Sequence, residues 1–114
     1  MAPVRVAVLG AGYWGTKLCR EYAGIESSTH DASLSMVVDS YPPALDLVRA
    51  ALWENGREFS TDYRSAIQNR EIDAIHVALP SPLHYDVARA ALEAGKHVLL
   101  EKPMALTSRD AFKL

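Results

Sequence analysis

Gly10, Gly12 and Gly15 spell G-x-G-x-x-G directly after the apolar run Val4–Leu9 and before a helical pattern at residues 16–22. That order gives each glycine a task. Gly10 lets the backbone turn sharply out of a strand. Gly12 has no side chain, so a diphosphate can approach the main chain, and Gly15 lets the following helix pack closely. The helix start adds free N–H groups and a positive dipole end, which suit phosphate oxygens. The plain alternative is an ordinary strand-to-helix turn; the strand before it and the helix after it favour dinucleotide binding. Tyr13 and Trp14 fill the variable places. They either border the phosphates and nicotinamide or cover the sheet edge.

Asp39 ends the next apolar run, 24 residues after Gly15. A carboxylate there can accept both ribose hydroxyls of an adenosine and repels a 2′-phosphate. Ser40 and Tyr41 bring no compensating charge, which favours NAD over NADP; Arg49 on the following helix leaves NADP open. The alternative for Asp39 is a turn or helix-cap aspartate. Lys102, preceded by Glu101 and followed by Pro103, is the sharpest catalytic candidate. It follows a buried strand and can hydrogen-bond a substrate oxygen. Beside an oxidised nicotinamide its ammonium is disfavoured. A cis Lys102–Pro103 bond is one way to aim it, and the bland reading is a loop lysine. Pro80 and His84 open another helix. His84 reads first as a polar surface residue, with contact to cofactor or substrate as the alternative. His76 and His97 lie in strands and read as structural. His30 reads as solvated, and no set of partner residues suggests a metal.

The elements that position these residues alternate. Strands are expected at residues 4–9, 34–38, 57–60, 72–79 and 97–100. The first helix is expected to end at Gly24, with a polar loop at 26–33. A second helix, 44–53, should bury Ala44, Leu47, Val48 and Ala51, with Asn55-Gly56 closing it. A short helix with Tyr63, Ala66 and Ile67 follows, capped by Thr61 or Asp62. Ser81 should cap, and Pro82 begin, a helix reaching Ala94 with Val87, Ala88, Ala91 and Leu92 inward and Gly95 as its stop. Thr107 to Asp110 resembles a capping box. Strands alternating with helices imply an α/β fold, a doubly wound parallel sheet in the order 3-2-1-4-5. Ligands of such sheets bind beyond the carboxyl ends of the strands. The glycine turn, Asp39, Pro80 to His84 and Glu101 to Pro103 all fall there.

Composition narrows the classes. With 114 residues, 49% apolar, 23% charged and a net charge of −2, the chain reads as one average globular domain. No charge block points to nucleic acid, and no apolar run is long enough to span a bilayer. The single Cys19 fits a reducing cytoplasm and a buried place on the first helix.

The stretches V-A-V-L-G-A-G-Y-W-G, F-S-T-D-Y, A-L-P-S-P-L-H, A-L-E-A-G-K-H-V-L-L-E-K-P and M-A-L-T, with Asp39, together resemble the N-terminal half of the Gfo/Idh/MocA oxidoreductases. The resemblance covers essentially the whole chain; A-G-K-H-V-x-x-E-K-P is its most specific part. It implies a Rossmann-type NAD(P)-binding domain over residues 1–114, ending before the last strand of that fold, and a second domain not in this sequence. That second domain would carry much of the substrate pocket, a further acid/base residue and homo-oligomer contacts. It further implies that Lys102 lies near the nicotinamide and the reacting hydroxyl of a polyol, sugar or nucleotide sugar, and that Pro80 and His84 line the cleft. The family often has Thr-Pro-Asn where this chain has Leu79-Pro80-Ser81. Two other classes stay open: a non-catalytic NAD-sensing module, and an interaction protein using an exposed sheet edge.

Overall fold

A computed structural model describes residues 2–52 and 56–114. Its elements are β1 (Val4–Leu9), α1 (Tyr13–Ser28), β2 (Ala32–Val38), α2 (Pro42–Ala51), β3 (Glu58–Ser60), α3 (Arg64–Gln68), β4 (Ala74–Val77), a 3₁₀ turn (Ser81–Leu83), α4 (His84–Glu93), β5 (His97–Leu100) and α5 (Ser108–Lys113). The five strands form one sheet in the order β3-β2-β1-β4-β5, with every pairing parallel. This is the Rossmann-type arrangement expected from the alternation of elements.

The sheet is buried on both faces because β1 is apolar at every central position. Ala7 and Leu9 face α3 and α4 through Met36, Val38, Ala66, Ile67, Ile75, Val87 and Ala91. Val8 faces α1 and α2 through Leu34, Val37, Cys19, Leu45 and Val48. Each Val, Leu, Ile or Met side chain among them contributes roughly 1.5–3 kcal/mol on burial. The alternation in β2 breaks once. Val6 pairs with Leu34 but Ala7 with Met36, so Ser35 is an extra residue. That bulge puts Leu34 and Val37 on one face and Met36 and Val38 on the other.

Several boundaries differ from expectation. Helix α1 runs through Gly24 to Ser28. The hydroxyls of Ser27 and Ser28 donate to the Gly24 carbonyl. The chain then leaves the helix at His30, whose φ is +62°, its N–H bonded to Ile25 O at 3.1 Å. The left-handed exit residue is thus a histidine rather than Gly24, and residues 32 and 33 belong to β2 rather than to a loop. In α2 the buried positions are Leu45 and Val48, while Leu47 is 73% exposed. The helix starts at Pro42 and turns the 44/45/48 stripe inward, so Leu47 and Ala51 fall outside it. Trp53 and Asn55 lie outside the described residues. Ser81 makes no capping bond: Pro80 leads into the 3₁₀ turn, and α4 starts at His84 with Leu92 45% exposed. Gly95 does stop α4, at φ +81°. Asp62 Oδ1 accepts the Arg64 N–H before α3, and Thr107 Oγ1 accepts the Asp110 N–H at α5, as expected.

Candidate functional site

The turn after β1 is closed by its own glycines. Gly10 has φ +107°, and a Cβ there would lie 2.5 Å from Ala78 O. A Cβ on Gly15 would lie 1.7 Å from Gly10 O, so the helix rests directly on the turn. A Cβ on Gly12 would meet nothing within 4 Å. The open space at this turn is therefore at Gly12, the N-cap of α1, which offers no capping side chain. Thr16 N bonds Gly12 O at 2.9 Å and Thr16 Oγ1 bonds Ala11 O at 3.1 Å, which fixes the first turn. A helix start of this kind, bare of side chains, suits a phosphate.

Asp39 fastens the end of β2 to that turn. Its Oδ2 accepts the Ala11 N–H and its Oδ1 the Tyr41 N–H, each at 2.8 Å. The turn role is therefore real. A carboxylate oxygen that accepts one hydrogen bond keeps a second lone pair, so ribose hydroxyls remain within its capacity. Arg49 is engaged elsewhere: it pairs with Asp46 at 3.0 Å and lies 4.6 Å over the Phe59 ring.

Two adjoining hollows cross the carboxyl edge of the sheet. One, of about 420 Å³, is lined by Gly10, Gly12, Tyr13, Trp14, Gly15, Asp39, Ser40 and Pro80 together with Ala78, Leu79 and Leu83. The other, of about 360 Å³, is lined by Trp14, Pro80, Ser81, His84, Glu101 and Lys102 with Ala78 and Leu79. Shared walls at Trp14, Ala78, Leu79 and Pro80 make them one cleft. Every residue singled out from the sequence as a contact of the cofactor lines it, from Asp39 at one end to Lys102 at the other. Hollows of similar or greater size lie elsewhere, one of about 530 Å³ between α4 and α5. Size alone does not locate the site.

His84 departs from the surface reading. It is 2% exposed, with Nδ1 2.6 Å from Pro103 O and Nε2 2.7 Å from Leu79 O. Its nitrogens hold the loop after β5 against the loop after β4, and its ring forms part of the cleft wall. Lys102 is exposed and precedes a cis bond to Pro103. The Trp14 indole and then the His76 hydrogen bond hold the Glu101 carboxyl below the usual glutamate range. Burial pushes the Cys19 thiol up to about 12, which fits an inert core residue. Among the described residues no group of His, Cys, Asp and Glu is arranged to hold a metal ion, and no helix is long and apolar enough to cross a membrane.

A family model described as an oxidoreductase family with an NAD-binding Rossmann fold, Gfo/Idh/MocA, matches residues 4–114. The chain belongs to the Gfo/Idh/MocA family. Among relatives, levoglucosan dehydrogenase of Pseudarthrobacter phenanthrenivorans is 32% identical over 116 residues, covering 97% of this chain and 29% of the relative. A glycosyl hydrolase family 109 protein of Shewanella amazonensis is 28% identical over 121 residues, covering 100% of this chain and 26% of the relative. Among solved structures, scyllo-inositol dehydrogenase from Lactobacillus casei with bound NAD(H) and scyllo-inositol matches with a TM-score of 0.84 at 28% identity, over 97% of this chain and 31% of that one. A levoglucosan dehydrogenase complex with NADH matches with a TM-score of 0.84 at 25% identity, over 96% of this chain and 30% of that one. The chain spans less than a third of the length of these relatives.

Two features of this Gfo/Idh/MocA domain carry little sequence signal. Lys96 Nζ donates to the carbonyls of Asn69 and Ile72, pinning the loop before β4. It reads as a helix-end lysine because its acceptors are backbone atoms far away in the chain. His76 bonds Tyr22 and Glu101 at once. A histidine inside an apolar strand announces that it needs partners, but not which.

Proposed function

We propose that this chain holds NAD as the cofactor half of a dehydrogenase that interconverts a secondary alcohol and a ketone on a sugar, cyclitol or nucleotide sugar. The observation that carries the proposal is the single cleft that runs from the bare helix start at Gly12, past Asp39, to Lys102. In this reading the diphosphate lies against Gly12 and the first N–H groups of α1. Asp39 accepts from the adenosine ribose, with Ser40 beside it. Tyr13 and Trp14 flank the path, and Pro80 and the His84 ring shape the nicotinamide end. NAD, when bound, supplies the hydride acceptor. Lys102 donates a hydrogen bond to the substrate oxygen and stabilises the negative charge that gathers there. The scyllo-inositol dehydrogenase structure with bound NAD(H) and the levoglucosan dehydrogenase complex with NADH support the cofactor assignment. A sugar or cyclitol as substrate is supported by the same two relatives, a scyllo-inositol and a levoglucosan dehydrogenase.

The test is titration of the chain with NADH and NADPH, followed by fluorescence, for the wild type and Asp39→Ala. The wild type should prefer NADH. Loss of the ribose contact should weaken NADH binding by roughly tenfold, the worth of a charged hydrogen bond. Equal affinity in the two proteins removes Asp39 from the site, and no binding of either nucleotide removes the cofactor reading.

A further inference from the structure

Behind Glu101 lies a buried chain of side chains that the cofactor reading does not use. His76, in the middle of β4, is 4% exposed. Its Nδ1 is 2.8 Å from the Tyr22 hydroxyl and its Nε2 is 2.8 Å from Glu101 Oε1. Tyr22 belongs to α1, the helix that starts at the glycine turn. Its ring meets the imidazole edge-on, with centroids 5.8 Å apart and planes at 83°. Hydrogen-bond chemistry orders the three. A carboxylate only accepts, so Nε2 carries the hydrogen; in the neutral ring Nδ1 then accepts from Tyr22. The Tyr22 hydroxyl, both imidazole nitrogens and Glu101 Oε1 are paired in this arrangement, and in a poorly solvated setting the links reinforce one another.

The burial is graded along this chain. The His76 side chain is 5% exposed while that of Glu101 is 33% exposed. Glu101 lines the hollow that Lys102, Trp14 and His84 also line. The carboxylate is thus the end of the hydrogen-bonded chain that opens toward the cleft, where a ligand donor can reach it. The titratable groups that act on the carboxylate are His76 on β4 and His84 on α4, Tyr22 on α1 feels it in turn, and Lys102 is next to it in the chain; Cys19 on α1 acts on Tyr22. Trp14, from the first turn of α1, adds its indole N–H.

We infer that Tyr22 and His76 are positioning residues for Glu101: they hold its carboxylate as an oriented acceptor at the nicotinamide end of the cleft, facing a carboxamide or hydroxyl donor of the ligand. This rests on the cofactor reading above. The same contacts tie the glycine-turn helix to the end of β5, so the two sides of the cleft are set relative to each other through the sheet.

The test uses the 114-residue chain as Tyr22→Phe, His76→Leu and His76→Gln. Imidazole ¹⁵N NMR of the wild type should show hydrogen on Nε2 of His76 and an accepting Nδ1. A carboxyl ¹³C titration should place Glu101 below an ordinary glutamate. That value should rise in His76→Leu and partly return in His76→Gln, whose amide can replace the Nε2 donor. Binding of NADH should weaken by roughly three- to tenfold in His76→Leu, about one net hydrogen bond. Tyr22→Phe and His76→Gln should fall between. Should His76→Leu not fold, Tyr22→Phe, which keeps the ring, carries the comparison. Hydrogen on Nδ1 rather than Nε2 overturns the inference. So does an unmoved Glu101 titration, or an NADH affinity that ignores these changes. A wild type that binds no NADH instead overturns the cofactor reading, and the titration still decides whether His76 sets the charge of Glu101.

Discussion

At the scale of single residues, the three glycines of one motif divide their work in ways a substitution can separate. A methyl on Gly15 would overlap the Gly10 carbonyl at 1.7 Å. Both atoms belong to the backbone, so the turn itself must move. Gly15→Ala should therefore cost about 3 kcal/mol or more, read as a lower urea midpoint. A methyl on Gly12 meets open space. Gly12→Ala should leave stability within about 1 kcal/mol of the wild type, yet weaken NADH binding where the diphosphate needs that space. Equal loss of stability in the two variants would refute this division. The motif itself was legible from spacing, and so was the place of Asp39 and Lys102 along the carboxyl edge of the sheet. The placement of His84 was not. Its two acceptors are the carbonyls of Leu79 and Pro103, which come from different loops. Nothing in the local run around His84 distinguishes a buried tie from a polar surface residue.

At the scale of elements, β1 and β5 match their expected bounds because each ends in a short aliphatic run, Val6–Leu9 and Val98–Leu100, stopped by turn residues. The helices were harder to phase. Leu47 and Leu92 sit on apolar stripes by spacing but are exposed, since the neighbouring strand, rather than spacing within the helix, decides which side is covered. Gly24 fails as a stop because its backbone stays out of the left-handed region: the helix runs on to Ser28 and His30 takes the left-handed exit. The tie between α3 and β4 depends on Lys96, whose ammonium serves the Asn69 and Ile72 carbonyls. Lys96→Met keeps the stem and removes those donors. It should lower stability by roughly 2 kcal/mol, because hydrogen bonds to a charged group are lost and the Ile72 carbonyl is left short of a partner, while the Asn69 carbonyl keeps the Ile72 N–H. Lys96 lies before the start of β5, at the opposite edge from the cleft. NADH affinity should stay within about twofold, as for a distant independent site. An unchanged urea midpoint, or a large loss of NADH affinity, would refute the purely structural role.

At the scale of the whole molecule, the sheet gathers four separate stretches of sequence at one rim. We expect the 114-residue chain to bind dinucleotide weakly and to give no steady-state hydride transfer with polyol or sugar substrates. In the proposed reading Lys102 is the group set against the substrate oxygen, and general acid–base work needs a second group within hydrogen-bond reach of the same atom. Turnover by the purified chain, followed as NADH formation, would refute that expectation. The topology was the most legible level, because alternation and handedness leave few arrangements of five parallel strands. The irregular step in β2 was the least legible, since one additional serine in an alternating run changes neither composition nor length noticeably. Yet that step has a mechanical meaning. Leu9 opposite Val38 sets the height at which Asp39 meets the glycine turn, while Val4 opposite Ala32 anchors the other end of the same strand. Ser35 is the slack between these two fixed points. A chain lacking it could keep Leu34 in its seat or keep Asp39 latched to Ala11, but it could not do both.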